Sequence, residues 1–153
     1  YAPDLPSLVC DFKRLQQPFL NIFWNAIEAM PKGGLLRVSS EVDDKRQLIS
    51  IDISDTGTGI SEEDMESIFE PFFSSKTDGK GVGLGLSVAY GIIRQHYGQI
   101  FVRSEVGKGT QFTIQLPAGG LPSSNVEVWW LKPSVPSDEE EALAPKGSET
   151  PGK

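Results

Sequence analysis

Four clusters in this sequence combine residue types that can do chemistry. In the first, Asn21, Asn25 and Glu28 stand four and three residues apart. At ~100° per residue they share one face of a helix, while Phe19, Phe23 and Met30 fall on the opposite side. Amide and carboxylate oxygens suit Mg²⁺, a hard ion that keeps some waters and shares phosphate oxygens. Taken alone, such a face is more often plain solvated surface. The second cluster is Asp-Thr-Gly-Thr-Gly-Ile at 55–60, directly after an alternating apolar stretch. A carboxylate at a strand end accepts from an exocyclic amine, which favours adenine over a base with a carbonyl there. Gly57 and Gly59 let the chain turn sharply and let a flat ring approach the backbone. A plain turn reads the same way.

The third cluster is Gly-Val-Gly-Leu-Gly-Leu-Ser at 81–87, which opens an amphipathic stretch. Glycines let successive N–H groups point inward, and a helix N-terminus adds positive potential, so the two together cradle an anion. Lys76 and Lys80 flank it and can neutralise phosphate charge. The run does not follow a strand, which disfavours a dinucleotide-binding turn, and it lacks the Gly-Lys-Ser/Thr of a P-loop. The fourth, Gly-Lys-Gly-Thr-Gln-Phe at 107–112, reads as a tight turn that sets the Thr110 hydroxyl near a base.

These clusters need elements to hold them. Apolar residues at Phe12, Leu15, Phe19, Phe23, Ile27 and Met30 recur at helical spacing, with Ile22 and Ala26 flanking. Asp11 is the start and Pro-Lys-Gly-Gly at 31–34 the stop. Pro18 implies either a kink or a main helix that begins there. Leu36, Val38 and Val42, then Ile49, Ile51 and Ile53, alternate as two strands around a polar loop at 43–46. Ser61 with Asp64 resembles a capping box and predicts a short helix over 62–69. Residues 71–85 read as a loop, 85–97 as a helix, and 99–105 with 110–116 as a closing hairpin. The expected fold is an α/β (α+β) two-layer sandwich: a mixed, mostly antiparallel sheet, helices packed on one face and a mobile lid.

Composition narrows the function classes. The 153 residues carry a net charge of −7 with scattered basic residues, which argues against a basic nucleic-acid face. Hydrophobic residues at 38% and charged residues at 23% suit a globular domain. The one cysteine, Cys10, excludes an intrachain disulfide, fits a reducing compartment and reads as a packing residue. No run approaches ~20 apolar residues and no secretory signal opens the chain; a piece cut from a membrane protein would look the same. Residues 1–10 read as a linker and 11–117 as the domain. Residues 118–153, with five prolines and an acidic run at 138–141, read as a tail or linker. The apolar stretch at 126–131, with Trp129 and Trp130, is expected either to fold back as an extra strand or to dock a partner; fold-back is preferred, since two exposed tryptophans would be sticky.

Each cluster is weak singly; in this order they are specific. The sequence resembles the catalytic domain of sensor histidine kinases over about residues 8–117. Asn-Ile-Phe-Trp-Asn-Ala-Ile-Glu-Ala-Met at 21–30 looks like that family's asparagine box, and 55–60 like its first glycine box. Phe-Glu-Pro-Phe-Phe-Ser-Ser-Lys at 69–76 looks like the phenylalanine box, 81–87 like the second glycine box and 107–112 like the closing one. The Asn-Ala-x-Glu-Ala-Met ending is similar to the nitrogen-regulation and PAS-linked branch. The implied fold is the ATP-binding sandwich shared with gyrase, the heat-shock chaperone ATPases and the mismatch-repair ATPases.

The resemblance implies roles for individual residues. Asn25 would hold Mg²⁺, with Asn21 supporting metal and phosphates. Asp55 would bind the adenine amine, partly through water, helped by Thr110. Gly57 and Gly59 would give the base room, next to Ile60. Gly81, Gly83 and Gly85 would hold the phosphates of ATP, in one loop with Val82, Leu84 and Leu86. Phe69 to Lys76 would belong to the lid. Some relatives carry a lysine where Glu28 stands, so Lys76 or Lys80 would reach the γ-phosphate instead. ATPase members place a glutamate where Asn21 stands, and asparagine is a poor general base. The implied activity is therefore transfer of the γ-phosphoryl group rather than hydrolysis, a reaction that needs mainly positioning and charge neutralisation.

The acceptor would be a histidine on a separate dimerisation domain, for relay to the receiver domain of a response regulator. The family's phosphoacceptor box is absent here. The one histidine, His96, lies in His-Tyr-Gly where the family often has His-Gly-Gly, and reads as structural. Two alternatives stay open: a serine kinase of the anti-sigma-factor type, and a nucleotide-binding module without transfer activity. The isolated domain is expected to be a monomer, its full-length parent a homodimer, and the location cytoplasmic whether or not the parent is membrane-anchored.

Overall fold

The computed structural model describes residues 5–43, 45, 47–74 and 82–119. Lys76, Lys80 and Gly81 lie outside them, as does the segment 126–131 expected as an extra strand.

Helix α1 (Phe12–Ala29) begins at Asp11, whose carboxylate accepts from the Arg14 N–H at 3.1 Å. This satisfies one of the orphan donors of the first turn. The helix passes through Pro18, so the main helix does not begin there. Pro18 lacks the N–H that would bond back one turn, and its ring is fully buried in exchange. The buried stripe is Leu15, Pro18, Ile22 and Ala26. Phe19 and Phe23 pack only along the edge of the core, and Phe12 and Ile27 are exposed. The expected apolar face is therefore rotated. The phenylalanines form one shoulder of the stripe and Asn21 and Asn25 the other. Helix α1 lies more against a second helix than against the sheet, and small or branched residues such as Ala26 and Ile22 allow that close approach.

Strands β1 (Leu36–Asp43) and β2 (Leu48–Asp55) form the expected hairpin, with Val38 opposite Ile53 and Val42 opposite Ile49. After β2 comes α2 (Glu62–Met65), capped by Ser61, whose hydroxyl accepts from the Asp64 N–H at 3.1 Å. It is shorter than the predicted 62–69. The Ser67 and Glu70 N–H groups bond back only three residues, to Asp64 and Ser67, so the chain continues in tight turns. Helix α3 (Gly85–Gln95), β3 (Gln99–Glu105) and β4 (Gly109–Pro117) complete the order.

The sheet runs β1-β2-β4-β3, and every pairing among the described residues is antiparallel. The expected mixed sheet is corrected by that order. Strands β2 and β3 run the same way, but β4 inserts between them, so no parallel pair forms. One sheet face carries Ile53, Ile100, Phe112, Ile114 and Leu116, which meet Leu15 and Ile22 of α1 and Ile93 of α3. Each fully buried side chain of this kind contributes about 1.5–3 kcal/mol. The other face is polar: Gln111 and Thr113 both donate to Asp52, and Gln115 donates to Ser50.

Two contacts fix how the helices meet. His96 Nε2 accepts the Asp11 N–H at 3.2 Å, while Nδ1 lies 2.8 Å from the Ile92 carbonyl. A carbonyl only accepts, so the ring hydrogen sits on Nδ1. His96 thus ties the end of α3 to the start of α1, the structural part expected of it. The next residue, Tyr97, takes φ 58°, and the Gly98 N–H closes the helix on Ile93. Among the described residues no helix is long and apolar enough to cross a membrane.

Candidate functional site

Asp55 ends β2 with only 8% of its surface exposed. Its Oδ1 accepts from two backbone groups, the Gly57 N–H at 2.8 Å and the Thr110 N–H at 3.3 Å. Both go to the same oxygen, which leaves Oδ2 as a buried acceptor with lone pairs to offer. Asp55 and Thr110 line an open cleft at the end of the sheet with Ser104, Glu105 and Lys108, and the cleft extends onto the polar sheet face at Ser54, Arg103 and Gln111. The Lys108–Glu105 pair at 2.6 Å is exposed on both sides and adds little stability.

The loop after Asp55 is clamped on both sides. The Thr58 N–H donates to the Ala29 carbonyl at the end of α1, and the Gly107 N–H donates to the Thr58 carbonyl. Gly57 and Gly59 were expected to leave room for a flat ring. Their missing side chains make room for the protein itself. A Cβ on Gly57 would stand 2.7 Å from Ala29 Cβ, and one on Gly59, at φ 71°, would stand 2.2 Å from the Glu105 carbonyl oxygen. Gly109, at φ 110°, passes so close to Asp55 that a Cβ would meet its carbonyl oxygen at 2.0 Å. These glycines bring the loop, α1 and the last hairpin together around Asp55. Ile60, half-buried, donates its N–H to the Ser104 hydroxyl at 2.8 Å.

The asparagine face meets the glycine-rich loop. Asn21 Nδ2 donates to the Gly85 carbonyl at 2.8 Å, and its Oδ1 accepts from Gln17 at 2.9 Å. Asn21 thus holds α3 against α1. Asn25 is half-buried and has no side-chain partner among the described residues. Glu28 is exposed and engaged elsewhere.

Helix α3 opens at Gly85 with no side-chain cap and no acidic residue in its first turn. Its first N–H groups have no acceptor within the helix, and the macrodipole makes that end positive. The loop before it is pinned: the Phe72 N–H donates to the Gly83 carbonyl at 2.9 Å, and Gly83, at φ 70°, rests on the Phe72 and Phe73 backbone. Val82 and Leu84 are exposed, Leu86 packs against the core, and Phe69 stacks with Tyr90 at 5.3 Å between ring centres.

Helix α1 is the rail joining both halves. Ala29 grips the Asp55 loop and Asn21 grips the start of α3. The eight helical steps from Asn21 to Ala29 span about 12 Å, the scale of an extended nucleotide. Sequence reasoning missed Ser104, whose register partner across the hairpin is Thr110. Counting outward from Gly107 at the centre of the turn would have found it.

Residues 10–120 match the family described as histidine kinase-, DNA gyrase B-, and HSP90-like ATPase. This chain belongs to that family. Among its relatives is Sporulation kinase E of Bacillus subtilis (strain 168), 44% identical over 114 residues, 74% of this chain and 15% of that protein. The nucleotide-free catalytic domain of histidine kinase ThkA superposes with a TM-score of 0.62 at 33% identity, covering 72% of this chain and 70% of that one. Full-length ShkA in complex with AMPPNP superposes at 0.66 and 27% identity, covering 78% of this chain and 24% of that one. The chain is thus homologous to the catalytic, ATP-binding domains of sensor histidine kinases, and it spans a small part of the curated kinases it matches.

Proposed function

We propose that residues 11–117 bind Mg-ATP and transfer its γ-phosphoryl group to a histidine on a separate dimerisation domain, for relay to a response regulator receiver. Residues 1–10 are then the linker from that domain and 118–153 a tail. The observation that carries this reading is Asp55, buried at the end of β2 with Oδ1 saturated by two N–H groups and Oδ2 left over. A buried acceptor without a partner costs free energy, and an adenine amine is the donor it fits. The AMPPNP bound by the similar ShkA supports a nucleotide of this class.

The phosphates then run along α1 toward the uncapped N-terminus of α3, where Gly83 and Gly85 shape the backbone; Gly81 of the same sequence motif is proposed to serve them too. Lys76 and Lys80 neutralise phosphate charge. Asn25, with no side-chain partner among the described residues, fits Mg²⁺, which takes few protein oxygens when waters and phosphates fill its other positions. Bound there, Mg²⁺ would neutralise charge on the transferring phosphoryl group. No carboxylate stands at Asn21 to activate water, so ATP waits for a nucleophile from another domain. The partner histidine, the receiver, a homodimeric parent and a cytoplasmic location belong to this proposal.

The test is transfer in trans. The protein is incubated with γ-labelled ATP and a dimerisation domain from a related kinase. Label on the acceptor histidine with little free phosphate supports the reading. Rapid phosphate release without transfer contradicts it.

A further inference from the structure

The hydroxyl of Ser104 makes three contacts. It accepts the Ile60 N–H at 2.8 Å, lies 3.0 Å from the Gly109 carbonyl oxygen, and lies 2.9 Å from Thr110 Oγ1. A serine hydroxyl has one hydrogen and two lone pairs. The Gly109 carbonyl only accepts, so it takes the hydrogen. The Ile60 N–H takes one lone pair. The lone pair that remains can only accept, so the hydrogen in the third contact comes from Thr110. The Thr110 hydroxyl hydrogen is therefore committed to Ser104, and Oγ1 has only lone pairs left for any further partner. Thr110 is 6% exposed and lines the same cleft as Asp55 and Ser104.

We propose that Ser104 is a positioning residue for base selection: by fixing the hydrogen of Thr110 it makes Thr110 Oγ1 a second acceptor beside Asp55 Oδ2. This rests on the adenine reading above. Two acceptors match the two hydrogens of an exocyclic amine, directly or through one water that donates to both. They oppose an oxo group at the same ring position, which brings lone pairs of its own. Asp55 alone rejects an oxo-purine only in part, because a freely turning Thr110 hydroxyl could swing its hydrogen toward the oxygen. Ser104 removes that escape.

The test is calorimetric titration of ATP and of inosine triphosphate, which carries an oxo group in place of the amine, into wild type, Ser104→Ala, Ser104→Thr and Thr110→Val. The wild type should prefer ATP. Ser104→Ala should lower ATP affinity about tenfold and change inosine triphosphate affinity by less than about twofold, so the preference narrows about tenfold. Ser104→Thr keeps the oxygen and should restore the preference. Thr110→Val leaves Ser104 bonded to Ile60 and Gly109, and should narrow the preference even if Ser104→Ala fails to fold. Equal weakening of both nucleotides by Ser104→Ala, with the ratio unchanged, would reduce Ser104 to a support of the turn and overturn this inference alone. Failure of the folded wild type to bind either nucleotide would overturn the ATP reading and this inference with it.

Discussion

Asn21 on α1 donates its amide hydrogen to the carbonyl of Gly85, the first residue of α3, across 2.8 Å. That bond fixes the orientation of the backbone where phosphate is proposed to sit. Asn21→Ala should lower ATP affinity about five- to tenfold, the size of one lost hydrogen bond, without abolishing folding. Asn21→Asp should cost more, because a carboxylate then faces both the Gly85 carbonyl and the phosphates. Calorimetric titration beside a thermal melt checks both.

Asn25 offers the amide proposed to reach Mg²⁺. The wild type should bind ATP more tightly with Mg²⁺ than with a chelator, by roughly an order of magnitude. Asn25→Ala should remove most of that difference while keeping metal-free binding. Titrations in magnesium and in EDTA measure it. An undiminished magnesium effect in the variant would place the metal elsewhere.

The glycines around Asp55 differ in what they support. Gly59 combines φ 71° with a Cβ position 2.2 Å from the Glu105 carbonyl oxygen, whereas Gly107 has φ 79° and open space around it. Gly107→Ala should cost about 1–2 kcal/mol, from backbone conformation alone. Gly59→Ala should cost about 1–3 kcal/mol more, from overpacking. Denaturant melts of the two variants give the comparison.

His96 bridges the Asp11 N–H and the Ile92 carbonyl. His96→Ala should destabilise the domain by about 1–2 kcal/mol and leave ATP affinity within about twofold. A variant that also lost phosphoryl transfer to a partner histidine would give His96 a part beyond packing.

Much of the fold was legible because it depends on short-range rules. The Asp11 and Ser61 caps, the alternation of Ile49, Ile51 and Ile53, and the turn at Gly107 each follow from neighbouring residues. The orientation of α1 was not legible in the same way. Phe12 and Ile27 carry the helical period but face outward, since the packing partner α3, distant in sequence, selects Ile22 and Ala26. The insertion of β4 between β2 and β3 is likewise a long-range choice. In the site, residue types and order pointed to Asp55, Asn25 and the loop before α3. What they did not reveal is the use of Gly57 and Gly59 to seat backbone on backbone, or the engagement of both ends of the Asn21 amide. Ser104 carries no motif of its own and becomes visible only through the hairpin register.

Asp55→Asn tests most directly whether Asp55 Oδ2 receives an adenine amine. The asparagine oxygen can still accept from Gly57 and Thr110, so the fold should hold, while an amide NH₂ replaces the free acceptor. ATP should bind the wild type with almost no hydrolysis and bind Asp55→Asn at least about 100-fold more weakly, with melting nearly unchanged. Equal ATP affinity in the two folded proteins would contradict the account.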